Sequence, residues 1–136
     1  MAKTLVDAGP LIAFVHAGEP GHAACVKVLR GESGPLLTIW PALTEALHFL
    51  EDRPVGQDAL LEMVEAGVLV VAPIGQDDMP RIRALMKKYA DQPMDLADAG
   101  LVRIAERDRI TRILTLDRRD FSIYRIGRLG RFEIVP

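Results

Sequence analysis

Asp7, Glu45, Asp95, Asp98 and Asp117 are the side chains of this 136-residue sequence with the strongest claim to chemistry. Two of them close similar stretches. Lys3-Thr4-Leu5-Val6 runs into Asp7, and Ile113-Leu114-Thr115-Leu116 runs into Asp117-Arg118-Arg119-Asp120-Phe121. Taken singly, each acid is ordinarily a turn residue, a helix cap or a solvated helix residue, and Asp95 and Asp98 fit a cap followed by an acidic third position. Taken together they are different. Two carboxylates 4 Å apart at an effective dielectric of 20 repel by about 4 kcal/mol, so a convergent group needs protons or a cation. An oxygen-only set, with neither a histidine pair nor Cys-x-x-Cys beside it, suits Mg²⁺ or Mn²⁺ better than Zn²⁺. Such ions ionise an attacking water and stabilise a departing oxygen in phosphodiester cleavage.

The elements between the acids determine whether they meet. Apolar runs at Lys3–Val6, Leu36–Ile39, Val68–Val71 and Ile113–Leu116 read as buried strands, with a short fifth strand over Arg131–Val135. Helical spacing separates them. Pro10–Val15 forms a short helix after Gly9-Pro10, and a second helix after Pro20-Gly21 carries Ala24, Val28 and Leu29. Pro41 opens a third, with Leu43, Ala46, Leu47 and Leu50 on one face; Val55–Ala66 is a fourth. Asp77 or Asp78 caps a fifth, in which Ile82, Leu85, Met86 and Tyr89 form the inward stripe, so Met86 is expected as core filler. The sixth begins at Asp95-Leu96-Ala97-Asp98. Strands alternating with helices predict an α/β fold, a three-layer α/β/α sandwich around a central parallel sheet of about five strands. In such a sheet the βα turns and helix N-termini share the carboxyl edge, where ligands bind. Five acids spread over 110 positions therefore converge on one edge.

The whole chain bounds the classes available. Its length suits a single domain over residues 1–136, able to bury roughly two-thirds of its unfolded surface without disulfides. Cys25 is the sole cysteine and is expected as a small core residue in a reducing, cytoplasmic setting. No signal peptide and no membrane-spanning run is evident. The net charge of −2 hides an asymmetry, because residues 1–102 carry −6 and residues 103–136, with nine arginines, carry +4.

Four segments carry a resemblance. Leu5-Val6-Asp7-Ala8-Gly9-Pro10-Leu11-Ile12-Ala13, Leu43-Thr44-Glu45-Ala46, Leu96-Ala97-Asp98-Ala99 and Leu114-Thr115-Leu116-Asp117-Arg118-Arg119-Asp120-Phe121 resemble, in order, the acidic motifs of the PIN-domain family of metal-dependent ribonucleases, and within it the VapC-type toxins of toxin–antitoxin pairs. The resemblance spans nearly the whole chain. It implies a Mg²⁺-dependent endoribonuclease, with Mn²⁺ as a substitute, in which Asp7, Glu45, Asp98 and Asp117 are the catalytic and metal-binding quartet. It also implies an RNA substrate, a homodimer and a small cognate antitoxin. Asp95 and Asp120 are acids beyond the usual four, with Asp95 an added candidate ligand. The sequence departs from the family after Asp7, where Ala8 and Gly9 supply no hydroxyl.

Arg118, Arg119 and Arg125 are the candidate RNA-binding residues, extended by Arg128 and Arg131 into a basic strip. Few aromatics accompany them, which favours recognition of RNA shape over base stacking. Thr44 and Thr115 flank the acids, where a hydroxyl orients a carboxylate or a phosphate or serves the fold alone. His48 has Glu-x-x-His spacing to Glu45 but no partner histidine, and reads as a surface residue. The apolar helices after strands one and three are candidate dimer faces. Three other functions compete: a phosphoryl-transfer domain using Asp7, disfavoured because no Asp-x-Asp follows the first strand; a non-catalytic protein-binding module on the same fold; and an RNA-processing nuclease without an antitoxin.

Overall fold

The computed structural model describes residues 3–136. β1 (Thr4–Val6), buried at all three residues, is the middle of a five-stranded sheet. β2 (Leu36–Thr38) and β3 (Leu69–Val71) lie successively to one side, β4 (Arg112–Leu114) and β7 (Glu133–Val135) to the other, in the order β3-β2-β1-β4-β7. Every pair is parallel, with Leu5 opposite both Leu37 and Ile113. The order reverses at β1, which makes the carboxyl ends of β1 and β4 the switch point of the sheet.

Helices connect the strands. α1 (Ala8–Val15) packs against α2 (His22–Gly31), α3 (Trp40–Phe49) and α4 (Pro54–Glu65), and α5 (Met79–Lys88) packs against α6 (Leu96–Asp108). α6 also meets α3, and that approach depends on Gly100: a Cβ there would stand 2.6 Å from the Ile39 side chain and 3.0 Å from that of Ile74. A short α7 (Arg118–Ile123) and an antiparallel pair, β5 (Arg125–Ile126) and β6 (Gly130–Arg131), complete the chain. The core is aliphatic at the sheet and aromatic at the C-terminal end, where Phe121 and Tyr124 meet edge to face at 5.2 Å.

The expected α/β/α arrangement holds, and so does the buried Cys25. Several details differ. β3 is an edge strand, so Val70 stays 39 % exposed instead of buried on both faces. β4 ends at Leu114 because Asp117 turns the chain into α7, leaving Leu116 exposed on the rim. The segment expected as one last strand is divided, Gly130–Arg131 pairing with β5 while only Glu133–Val135 joins the sheet. Met86 is 37 % exposed and not core filler, since Ile82, Leu85 and Tyr89 already complete the inward face of α5. Asp78 is the N-cap residue of α5 as expected, but its side chain serves the preceding 3₁₀ turn, accepting the Gly75 N–H and pairing with Arg103 and Arg107 of α6. α1 is enclosed by three other helices, with Leu11 through Phe14 all buried, and so offers no dimer face.

Candidate active site

Each acid is placed by the element it begins. β1 delivers Asp7 to the carboxyl edge, where it caps α1 by accepting the Ala8 N–H on Oδ1 at 2.8 Å. Its Oδ2 accepts the Thr115 hydroxyl at 3.1 Å, and Thr115 in turn accepts the Asp117 N–H at 3.0 Å. Asp95 caps α6 through the Asp98 N–H at 2.9 Å, and Asp117 caps α7 through the Asp120 N–H at 3.1 Å. Glu45 lies midway along α3. The caps expected for single aspartates are therefore real, and they do not keep these residues from a site. They aim it.

Asp7, Glu45, Asp95, Asp98, Asp117 and Asp120 all line one cavity of about 540 Å³ above the switch point, with Phe49 and Leu116 on its apolar rim. The quartet and both additional acids are thus brought together. Arg118 and Arg119 follow on the exposed start of α7. Arg118 donates to the Pro136 carbonyl at 2.6 Å. Arg125 is turned onto the carbonyls of Ser122, Ile123 and Tyr124, whereas Arg119, Arg128 and Arg131 are in no side-chain hydrogen bond or ion pair among the described residues. His48 lies on the surface beside Glu51.

The electrostatics follow from this crowding. Burial, with Glu45 and Asp95 nearby, raises the Asp7 carboxyl to about 6 against the opposing bonds from Ala8 and Thr115. Burial, then the charges of Asp95 and Asp7, raise Asp98 to about 7. Glu45 is pushed up by burial and Asp95, and Asp120 by burial and Asp117. Tyr124 is a residue that motif reading missed. Its buried ring packs against Tyr89 and Phe121 while its hydroxyl donates to Asp98 Oδ2 at 3.0 Å. No local pattern marks it, because 26 positions separate donor and acceptor.

The donor set fits a hard divalent cation. It is all oxygen, and burial first, with the neighbouring carboxylates adding to it, pushes Asp7, Glu45, Asp98 and Asp120 up, a crowding that a cation would relieve. Among the described residues, no three such side chains stand grouped closely enough to hold one ion.

A parallel β3-β2-β1-β4-β7 sheet with acids gathered at its switch point defines the PIN-like class of α/β/α proteins. No family model matches the chain. It is 35% identical over 135 residues to Ribonuclease VapC26 of Mycobacterium tuberculosis (strain ATCC 25618 / H37Rv), a match covering 97% of this chain and 99% of that protein. Among solved structures it is similar to Mycobacterium tuberculosis VapC20, described as a Sarcin-Ricin loop cleaving toxin, with a TM-score of 0.81 at 16% identity over 98% of this chain and all of that one. The chain belongs to the VapC ribonuclease family.

Proposed function

We propose that residues 1–136 act as one nuclease domain, a toxin endoribonuclease that hydrolyses RNA phosphodiester bonds with Mg²⁺, or with Mn²⁺ in its place. Membership in the VapC family makes RNA the substrate class. The observation that carries the metal-dependent reading is the gathering of six carboxylates from α1, α3, α6 and α7 on one cavity, with Asp7 and Asp98 raised to about 6 and about 7. Asp7, Glu45, Asp98 and Asp117 would hold the metal, with Asp95 as an added contact. When bound, it supplies an acidified water and positive charge for the cleaved phosphate.

The protein's own groups have distinct tasks in this reading. The Ala8 N–H and the Thr115 hydroxyl hold both oxygens of Asp7, and the Tyr124 hydroxyl orients Asp98. Arg118 and Arg119 stand next to Asp117 and draw RNA phosphates toward the cavity. Arg125 lies on the same strip, with its guanidinium turned inward. The protein works in the cytoplasm, where RNA is found, beside a small cognate antitoxin that covers the acids, and as a homodimer. No helix among the described residues is long and apolar enough to cross a membrane.

The test is cleavage of a mixed RNA pool by the purified chain with Mg²⁺, with Mn²⁺ and with chelator, beside Asp7→Asn. Cutting that needs metal and is lost in the variant supports the reading. Equal cutting by the variant removes Asp7 from the site. No cutting by antitoxin-free protein moves the chain to the binding-module reading.

A further inference from the structure

A second groove adjoins the acidic cavity. It measures about 640 Å³, and Glu45 and Asp95 line both. Its other principal walls are Trp40, at the start of α3, and Leu96, at the start of α6, with Thr44 and His48 along its edge. Trp40 is the sole tryptophan of the chain and is 60 % exposed, although Ile39 before it is wholly buried. Its ring makes no aromatic or cation contact among the described residues. Leu96 is 47 % exposed and directly follows Asp95, the cap of its own helix.

We propose that Trp40 is the stacking platform of a nucleobase subsite, which takes an unpaired base of the RNA next to the phosphate held at the acids. The inference rests on the nuclease reading above and adds what part of the RNA is read.

Three observations favour a base. Glu45 and Asp95 line both spaces, so the groove adjoins the acidic cavity and lies within reach of an RNA strand held there. The groove is lined by no lysine or arginine and by two acids, which disfavours a phosphate and favours the uncharged, flat part of a nucleotide. Trp40 lies five residues before Glu45 on α3, about 7.5 Å along the helix axis, within reach of a neighbouring nucleotide. A base in a duplex is stacked on its neighbours and cannot occupy such a site, so the subsite selects single-stranded loops or ends. A second copy of the chain seated on Trp40 and Leu96 would lie against Glu45 and obstruct the acids.

The single tryptophan reports on its own site. Asp7→Asn protein with Mg²⁺ is titrated with an eight-nucleotide single-stranded RNA, the same length of abasic ribose-phosphate chain, and an RNA duplex, while tryptophan emission and the anisotropy of a labelled RNA are read together. The single strand should quench the emission, and the abasic chain and duplex should not. Trp40→Ala should weaken single-strand binding roughly tenfold or more, with Trp40→Phe retaining most of it. RNA binding with unchanged emission overturns the subsite and leaves the nuclease reading standing. Absence of RNA binding, together with absence of cleavage by the wild-type chain, overturns both. Blue-shifted emission that grows with protein concentration, alongside a two-chain mass, places a second copy on Trp40 and also overturns the subsite.

Discussion

The Thr115 hydroxyl donates to Asp7 Oδ2 at 3.1 Å, joining two residues 108 positions apart at the ends of adjacent strands. The Thr115 hydroxyl oxygen also accepts the Asp117 N–H, so one wholly buried side chain sets the spacing between two candidate ligands. Thr115→Val keeps the shape and deletes both bonds. It is expected to destabilise the fold by about 1–3 kcal/mol, the cost of leaving buried partners unmatched, and to lower the cleavage rate at least about tenfold. Thr115→Ser should recover most of both. Urea unfolding and single-turnover cleavage of the three proteins check this.

Asp7 itself is a cost to the fold. Its carboxyl is raised from 3.8 to about 6, chiefly by burial, so the folded state prefers the protonated form. Its contribution to stability is therefore fully present below pH 3.8 and is lost as pH rises through about 6. A shift of that size corresponds to about 3 kcal/mol at neutral pH. Replacing the carboxylate by an amide removes that charge, but the amide nitrogen cannot accept the Thr115 hydroxyl, which returns about 1 kcal/mol of the gain. Asp7→Asn should accordingly be more stable than wild type by about 2 kcal/mol at pH 7.5 in chelator, the difference of those two figures, with the advantage disappearing near pH 4. Denaturant titrations across that pH range measure it, and a variant less stable at pH 7.5 would refute the charge argument.

The sequence made the acids legible because strand ends and helix starts in a parallel sheet share one edge, so Asp7, Glu45, Asp98 and Asp117 could be placed together from element order alone. Burial was less legible. An edge strand and a central strand are written in similar residues, and Val70 lies exposed on the edge strand β3. The same holds for Met86, whose helical spacing is correct but whose face the core had no room for. Thr115 is marked by its place beside Asp117, with only its partner 108 positions away hidden, whereas Tyr124 acts through a hydrogen bond that spans 26 positions and exists only once the chain is folded.

Tyr124 should tune the site without holding the fold. Its hydroxyl meets Asp98 Oδ2, and that bond counters the burial and the neighbouring charges that push Asp98 up to about 7. Tyr124→Phe leaves the ring packing on Tyr89 and Phe121 in place. Asp98 then loses an opposing influence and rises further, so the acid limb of the cleavage profile should move to higher pH. Mn²⁺ affinity by calorimetry should fall several-fold near pH 7, while the melting temperature changes little. A normal Mn²⁺ isotherm with an unmoved pH profile would assign Tyr124 to packing alone.

The arginines should divide by what already holds them. Arg119 is exposed at the start of α7 and makes no ion pair among the described residues, so it can neutralise a phosphate. Arg119→Ala should weaken RNA binding more at low salt than at high, and reduce the slope of log K against log salt by about 0.7. Arg118 donates to the Pro136 carbonyl, so its release toward RNA must break that bond, and Arg118→Ala should reduce the slope less. Arg125 differs from both. Its guanidinium holds the carbonyls of Ser122, Ile123 and Tyr124, the segment that carries the Tyr124 hydroxyl to Asp98. Arg125→Ala should therefore lower the melting temperature and slow cleavage while leaving the salt slope as in wild type. An Arg125→Ala slope reduced as far as that of Arg119→Ala would mean that the guanidinium leaves those carbonyls to meet the RNA, and that Tyr124 reaches Asp98 without its help.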